Sequence, residues 1–184
     1  MVSCSTSPPI AIEYELISTR SPNQEFISHE KRFEIDGAIA ARSFVQKNGG
    51  KSWQDKHRQQ LVWDSIALHT TADIARYKEP EVALTSAGTF AELTGIEVSK
   101  TLFGDLITVN QTEWQNILDA FPRYEFGSYI RGVLVNLCVT KPETTYGNPV
   151  GDLGERYVAN YSRVGHRIID IFDQVLPVND TWPN

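Results

Sequence analysis

The chain has 184 residues, 41% of them hydrophobic and 22% charged, a balance that suits one globular domain and excludes a disordered or fibrous chain. Its formal net charge of −6 argues against nucleic acid or an anionic membrane as a partner, because both need clustered Lys and Arg. Its two cysteines, Cys4 and Cys138, make no disulfide framework, so a reducing compartment, cytoplasmic or nuclear, is the default setting and Cys138, inside an apolar run, reads as a small buried hydrophobe.

No apolar run approaches the length of a membrane span, and Met1–Pro9 lacks the basic and apolar regions of a signal peptide. That stretch is rich in Ser, Thr and Pro and reads as frayed. Ile10 to Ile17 alternates weakly, as a short strand or an irregular arm would. Ile35, Ile39 and Val45 then place an apolar stripe on a helix from about Glu34 to Lys47, which Asn48-Gly49-Gly50 stops. Asp36, beside Gly37, reads as a helix-start carboxylate in preference to a catalytic acid. Ser52, followed by Asp55, resembles an N-cap with an acidic first turn, opening a helix that runs to His69 and packs back on its predecessor.

The segment from Val62 to Glu92 carries the most information. Val62, Ile66 and His69 fall at i, i+4 and i+7, so the one polar member of an apolar stripe is an imidazole at a helix end, pointing at the core. A second helix opens near Lys78-Glu79-Pro80, with proline at the first helical position. On it Leu84, Gly88 and Glu92 share a face, and Gly88 is small enough to admit a neighbouring helix. His69 and Glu92 thus face one site in the functional reading. In the structural reading His69 is a core or capping residue, and Glu92, near the C-cap Gly95, is a solvated last-turn residue.

After Gly95, Leu102, Phe103, Leu106 and Ile107 form an apolar connection. Asn110 with Glu113 has the form of a capping box, and Trp114, Ile117, Leu118 and Phe121 give an amphipathic helix ended by Pro122. Phe126, Ile130, Val133, Leu134, Leu137 and Cys138 predict a nearly all-apolar, central helix. Lys141–Val150 is a polar loop, and a last helix spans roughly Tyr161 to Leu176, with His166 on its outer face. His29 and His57 sit among charged neighbours, and Trp53, Trp63, Trp114 and Trp182 read as packing anchors. The fold class is all-α, with six or seven helices around one core.

Several blocks, in order, resemble one family: FEIDGAIAARSFV (Phe33–Val45), VWDSIALHTT (Val62–Thr71), KEPEVAL (Lys78–Leu84), DAFPR (Asp119–Arg123) and KPETTYGN (Lys141–Asn148) are similar to HD-domain proteins related to cyanamide hydratase. The likeness runs from about Pro22 to Asn148. It divides the chain into a divergent N-terminal arm, residues 1–21, and an HD-like helical domain, residues 22–184. The resemblance implies an all-α metallohydrolase-type scaffold. A divalent metal, zinc or iron, is held there by an upstream His, an adjacent His-Asp pair and a later Asp, and a metal-bound water adds across a nitrile to give a urea.

This chain departs from that pattern at the metal. Ser18 and Thr19 stand where the His-Asp pair belongs, and no histidine precedes His29, as if the chain starts too late for the helix that carries the upstream ligand. Glu92 aligns with the later Asp, and its oxygens suit a hard or borderline cation. His69 matches a histidine beside the family's pocket. The resemblance therefore implies His69 and Lys141 as catalytic groups, Thr144 as a further pocket-loop residue and Glu92 as the residual metal ligand, too few for tight binding. An altered start or a divergent relative that abandoned the metal both fit this gap. Two functions follow: a hydratase or hydrolase acting on a small polar substrate, or a non-catalytic HD-like domain that binds, as a homo-oligomer or with a complete relative.

Overall fold

A computed structural model describes residues 27–175, which form nine α-helices and three short 3-10 turns, with no strand among the described residues. The helices are α1 (Phe33–Asn48), α2 (Lys56–Ala67), α3 (Ala72–Ala75), α4 (Pro80–Thr94), α5 (Ile96–Phe103), α6 (Gln111–Ala120), α7 (Phe126–Thr140), α8 (Val150–Tyr157) and α9 (Ile168–Val175). The all-α class stands. The count exceeds six or seven because α3, α5 and α8, of four to eight residues, form in stretches to which the sequence reading assigned no helix. Such short helices bury too few residues for their periodicity to stand out. The expectations for Cys4, Met1–Pro9, Ile10–Ile17, Ser18, Thr19 and Trp182 lie outside the described residues.

Helix α1 begins with Glu34 and Asp36 in its first turn and has Lys47 in its last, the arrangement the helix dipole favours. Gly49 stops it for a steric reason: its φ is −75°, and an added Cβ would lie 2.5 Å from both the Trp53 Cβ and the Val45 carbonyl. Helix α2 is capped by Asp55, whose carboxylate accepts from the Arg58 N–H at 2.8 Å. Ser52, expected as the cap, instead lies in a 3-10 turn, Lys51–Gln54. That turn seats Trp53 against Gly49, and the Arg58 guanidinium covers its ring at 4.5 Å.

Helix α2 ends at Ala67, so His69 sits on the turn before α3 and not on the helix itself. The β-branched pair Thr70-Thr71, which loses rotamer freedom in a helix, follows at that break. Pro80 opens α4, as expected, and Gly95 ends it with φ +84°, a conformation that suits glycine. Asn110 and Glu113 make the full capping box of α6, both bonds at 3.0 Å. Two other expectations are corrected. Helix α7 is not central, since Cys138 is its one buried residue and Tyr129 and Val139 are exposed. Helix α9 begins at Ile168 after a turn with Gly165 at φ +89°, which leaves His166 ahead of the helix, stacked on Tyr146 at 4.0 Å.

The core lies among α1, α2, α4 and α5 and is built largely of small side chains: Ala38, Ala67, Ala83, Ala87 and Ala91, with Val82, Ile96 and Phe103. Alanines let helix backbones approach closely. At Gly37, for example, an added Cβ would meet the Ile66 side chain at 3.3 Å. Two buried hydroxyls tie the layers together, Ser99 donating to the Ala87 carbonyl and Ser86 to the His69 carbonyl, each at 3.0 Å. Helix α7 packs chiefly on α8. No helix among the described residues is long and apolar enough to cross a membrane.

Candidate functional site

Helices α1, α4 and α7 present stripes to one large cavity of about 1140 Å³, partly open to solvent. From α1 come Phe33, Asp36, Gly37, Ala40, Ala41, Phe44 and Val45, alternating by three and one, the repeat of a single helical face. Gly88, Thr89, Glu92 and Leu93 come from α4, and Phe126, Ile130, Val133, Leu134 and Leu137 from α7. The wall is thus mostly hydrocarbon. The apolar stripe of α7, read as a core signature, faces this space. Gly88 admits no neighbouring helix, since nothing lies within 4 Å of where its Cβ would be, and Leu84 is half-exposed.

His69, Glu92 and Lys141 all line this cavity, while Thr144 does not. His69 is held on three sides. Its carbonyl accepts from Ser86, its ring meets the edge of Phe33 at 5.7 Å between centroids, and its Nδ1 lies 2.6 Å from the Ile66 carbonyl. A carbonyl can only accept, so Nδ1 carries the proton, and in the neutral ring Nε2 is the lone-pair nitrogen. Nε2 has no protein partner among the described residues.

Lys141 follows the last turn of α7 and is 4% exposed. Its ammonium donates to the Lys31 carbonyl at 2.8 Å, the Ser28 carbonyl at 3.1 Å and Asp36 Oδ2 at 3.2 Å. All three N–H groups are therefore spent, two on the segment ahead of α1 and one on Asp36 in its first turn. Asp36 is correspondingly neither a simple helix-start charge nor a free acid. It accepts from the Ser28 N–H at 2.9 Å and the Ser28 hydroxyl at 2.8 Å besides Lys141. Thr144 directs its hydroxyl to the Lys141 carbonyl at 2.9 Å.

Beneath the same wall lies Glu34, 2% exposed, paired with Arg32 and accepting from the Thr70 hydroxyl at 2.8 Å. Sequence reasoning passed over it, since an acidic residue in a first helical turn is normally a solvated dipole partner. The signal that was present is the adjacent Arg32 together with the polar Thr70 beside His69. For both Glu34 and Asp36, burial pushes the carboxyl upward. Hydrogen bonds from Arg32 and Thr70 in one case, and from Ser28 and Lys141 in the other, outweigh it and hold each below its ordinary value of 4.5 or 3.8.

A depressed folded-state value stabilises the protein above the unfolded-state value, and that stability disappears as pH falls through the folded one. Melting temperature should therefore be flat near neutrality and fall from roughly pH 5 downward. Glu155 and Asp170 are also held low by Arg163 and Arg167, but both pairs are at the surface and screened. Melts in about 0.5 M salt isolate the buried pair, because screening removes the surface terms first. An acid limb that vanishes in salt, or is unchanged in Glu34→Gln, would contradict this assignment.

Glu92, on the last turn of α4, has a half-exposed side chain. Arg123 Nη2 bonds both its backbone carbonyl and its Oε1, the latter at 3.1 Å, while the guanidinium lies 5.3 Å from the Trp114 ring centre. A catalytic divalent ion needs about three protein ligands and an open position. Among the described residues no three His, Cys, Asp or Glu side chains are grouped so as to hold one. His69 offers one nitrogen and Glu92 one uncommitted oxygen, with Arg123 competing for the carboxylate. These residues do not fit the zinc or iron that the resemblance implies.

The arrangement can bind and orient a molecule that prefers an apolar wall. No protein-family model matches the chain, and neither a curated protein nor a solved structure matches it significantly.

Proposed function

We propose that the chain is a helical domain of the HD class related to cyanamide hydratase that binds a small molecule in the α1–α4–α7 cavity without a metal-held water. The observation carrying this reading is the convergence of His69, Glu92 and Lys141 on one cavity of about 1140 Å³ while the only lysine among them has every donor committed. A cavity of that size is at the upper end for ligand sites, which are concave, mostly apolar and furnished with a few polar groups. Binding is supported by its lining; proton transfer by Lys141 is disfavoured by its three acceptors.

An apolar fluorescent dye tests the proposal. It should bind one per chain, and Gly88→Phe, which has open space at its Cβ and faces the cavity, should abolish binding while leaving the helical circular dichroism intact. Dye that binds Gly88→Phe as well as the native chain would refute it. The hydratase reading is the second, favoured by the placement of His69 and Glu92 on the same cavity. It requires about one metal per purified chain and urea formed from cyanamide, and we expect neither.

A further inference from the structure

The cavity is mismatched to a small polar substrate. A molecule of three heavy atoms would leave most of the 1140 Å³ empty, and its polar groups would face hydrocarbon on nearly every side. The polar atoms on the wall, taken one by one, narrow the ligand further. Thr70 donates its hydroxyl proton to Glu34, and Thr89 donates its own to the Thr85 carbonyl at 3.0 Å. Asp36 and Lys141 neutralise each other and are saturated. With those donors spent, the wall offers only acceptors: Nε2 of His69, the second carboxylate oxygen of Glu92 and the remaining lone pairs of the two threonine hydroxyls. His69 Nε2 accepts because the Ile66 carbonyl fixes the ring proton on Nδ1, and the Glu92 carboxylate, paired with Arg123 through its other oxygen, has only lone pairs to offer.

We infer that the cavity takes a hydrophobic molecule with a single hydrogen-bond-donating head, a hydroxyl or a protonated amine, seated against His69 and Glu92 with its hydrocarbon along α1 and α7. The inference rests on the binding role proposed above and adds the ligand's chemistry. An acceptor-only or anionic head would meet only lone pairs, those of Glu92 charged. It would lose its hydration without recovering a hydrogen bond.

Displacement of the apolar dye by four eight-carbon probes separates these cases: 1-octanol, octylammonium, octanoate and octyl methyl ether. The hydrocarbon part is constant, so differences report the head. The alcohol and the ammonium should displace dye at concentrations about tenfold lower than the ether or the carboxylate, the size of one net hydrogen bond. His69→Leu should erase the advantage of the alcohol over the ether. Glu92→Ala, at a half-exposed side chain where folding is not at risk, should selectively reduce the advantage of the ammonium. Octanoate displacing as well as octanol, or discrimination that survives in both variants, overturns the inference. A dye that fails to bind at all overturns instead the binding role itself.

Discussion

Lys141→Met should cost about 3–5 kcal/mol of folding stability, the loss expected when one partner of a buried ion pair is removed and the other is left behind. The substitution keeps the length of the side chain and deletes three hydrogen bonds at once. Asp36, whose side chain is 9% exposed, would then hold an unpaired charge, and the Ser28 and Lys31 carbonyls would lose their donor. The effect is local as well as global. Lys141 joins the end of α7 to the start of α1, and Ile27, at the edge of that joint, lines the cavity. Amide exchange over residues 28–36 should accelerate more than over α4. The double variant Lys141→Met with Asp36→Asn should recover part of the loss, because the stranded charge is gone. Urea denaturation decides it: a single-variant loss under about 1 kcal/mol, or no recovery in the pair, would show that the ammonium is not the clamp described.

Gly154→Ala should destabilise by about 1–3 kcal/mol, although in most helices the same change stabilises. A Cβ there would fall 2.5 Å from Tyr161 Cε1 and 2.6 Å from Cζ, so the ring must move. It is not free to do so. The Tyr161 hydroxyl lies 2.6 Å from Thr145 Oγ1, and Thr145 donates in turn to the Pro142 carbonyl at 2.7 Å, leaving Tyr161 as the donor of the first bond. Tyr146 also packs against the ring, 5.3 Å between centroids. Gly88→Ala is the internal control, a helix-interior glycine with nothing within 4 Å, and should gain up to about 1 kcal/mol. Combining Gly154→Ala with Tyr161→Leu should cost less than the sum of the two. Equal or greater melting temperature in Gly154→Ala alone would remove the basis for the tight α8–Tyr161 contact.

Both predictions concern contacts between separate elements, Lys141 with the segment around α1 and Gly154 of α8 with Tyr161 in the turn that follows it, and neither was visible before the fold. Lys141 read as a pocket-loop group because its sequence neighbours, Pro142 and Thr144, belong to a polar loop. Its true partners are about 105 to 113 residues away. Gly154 lies between the polar loop that ended at Val150 and the last helix, in a stretch to which no element was assigned. In the same way the apolar run of α7 announced burial, and periodicity cannot distinguish a face packed on protein from a face turned to a cavity.

Local signals, by contrast, were sufficient wherever the determining interactions span a few residues. The capping box of Asn110 and Glu113, the proline that opens α4, the glycine that closes it and the stop after Asn48 are contests among neighbouring backbone groups, and the chain decides them by itself. The all-α class follows from the same short-range repeats. The convergence of His69, Glu92 and Lys141 on one space, the pairing of Glu92 with Arg123 and the exhaustion of every donor on Lys141 were settled by packing alone. Side chains on separate helices meet only when the helices have found their angles, and no periodicity within one helix encodes what will stand opposite it.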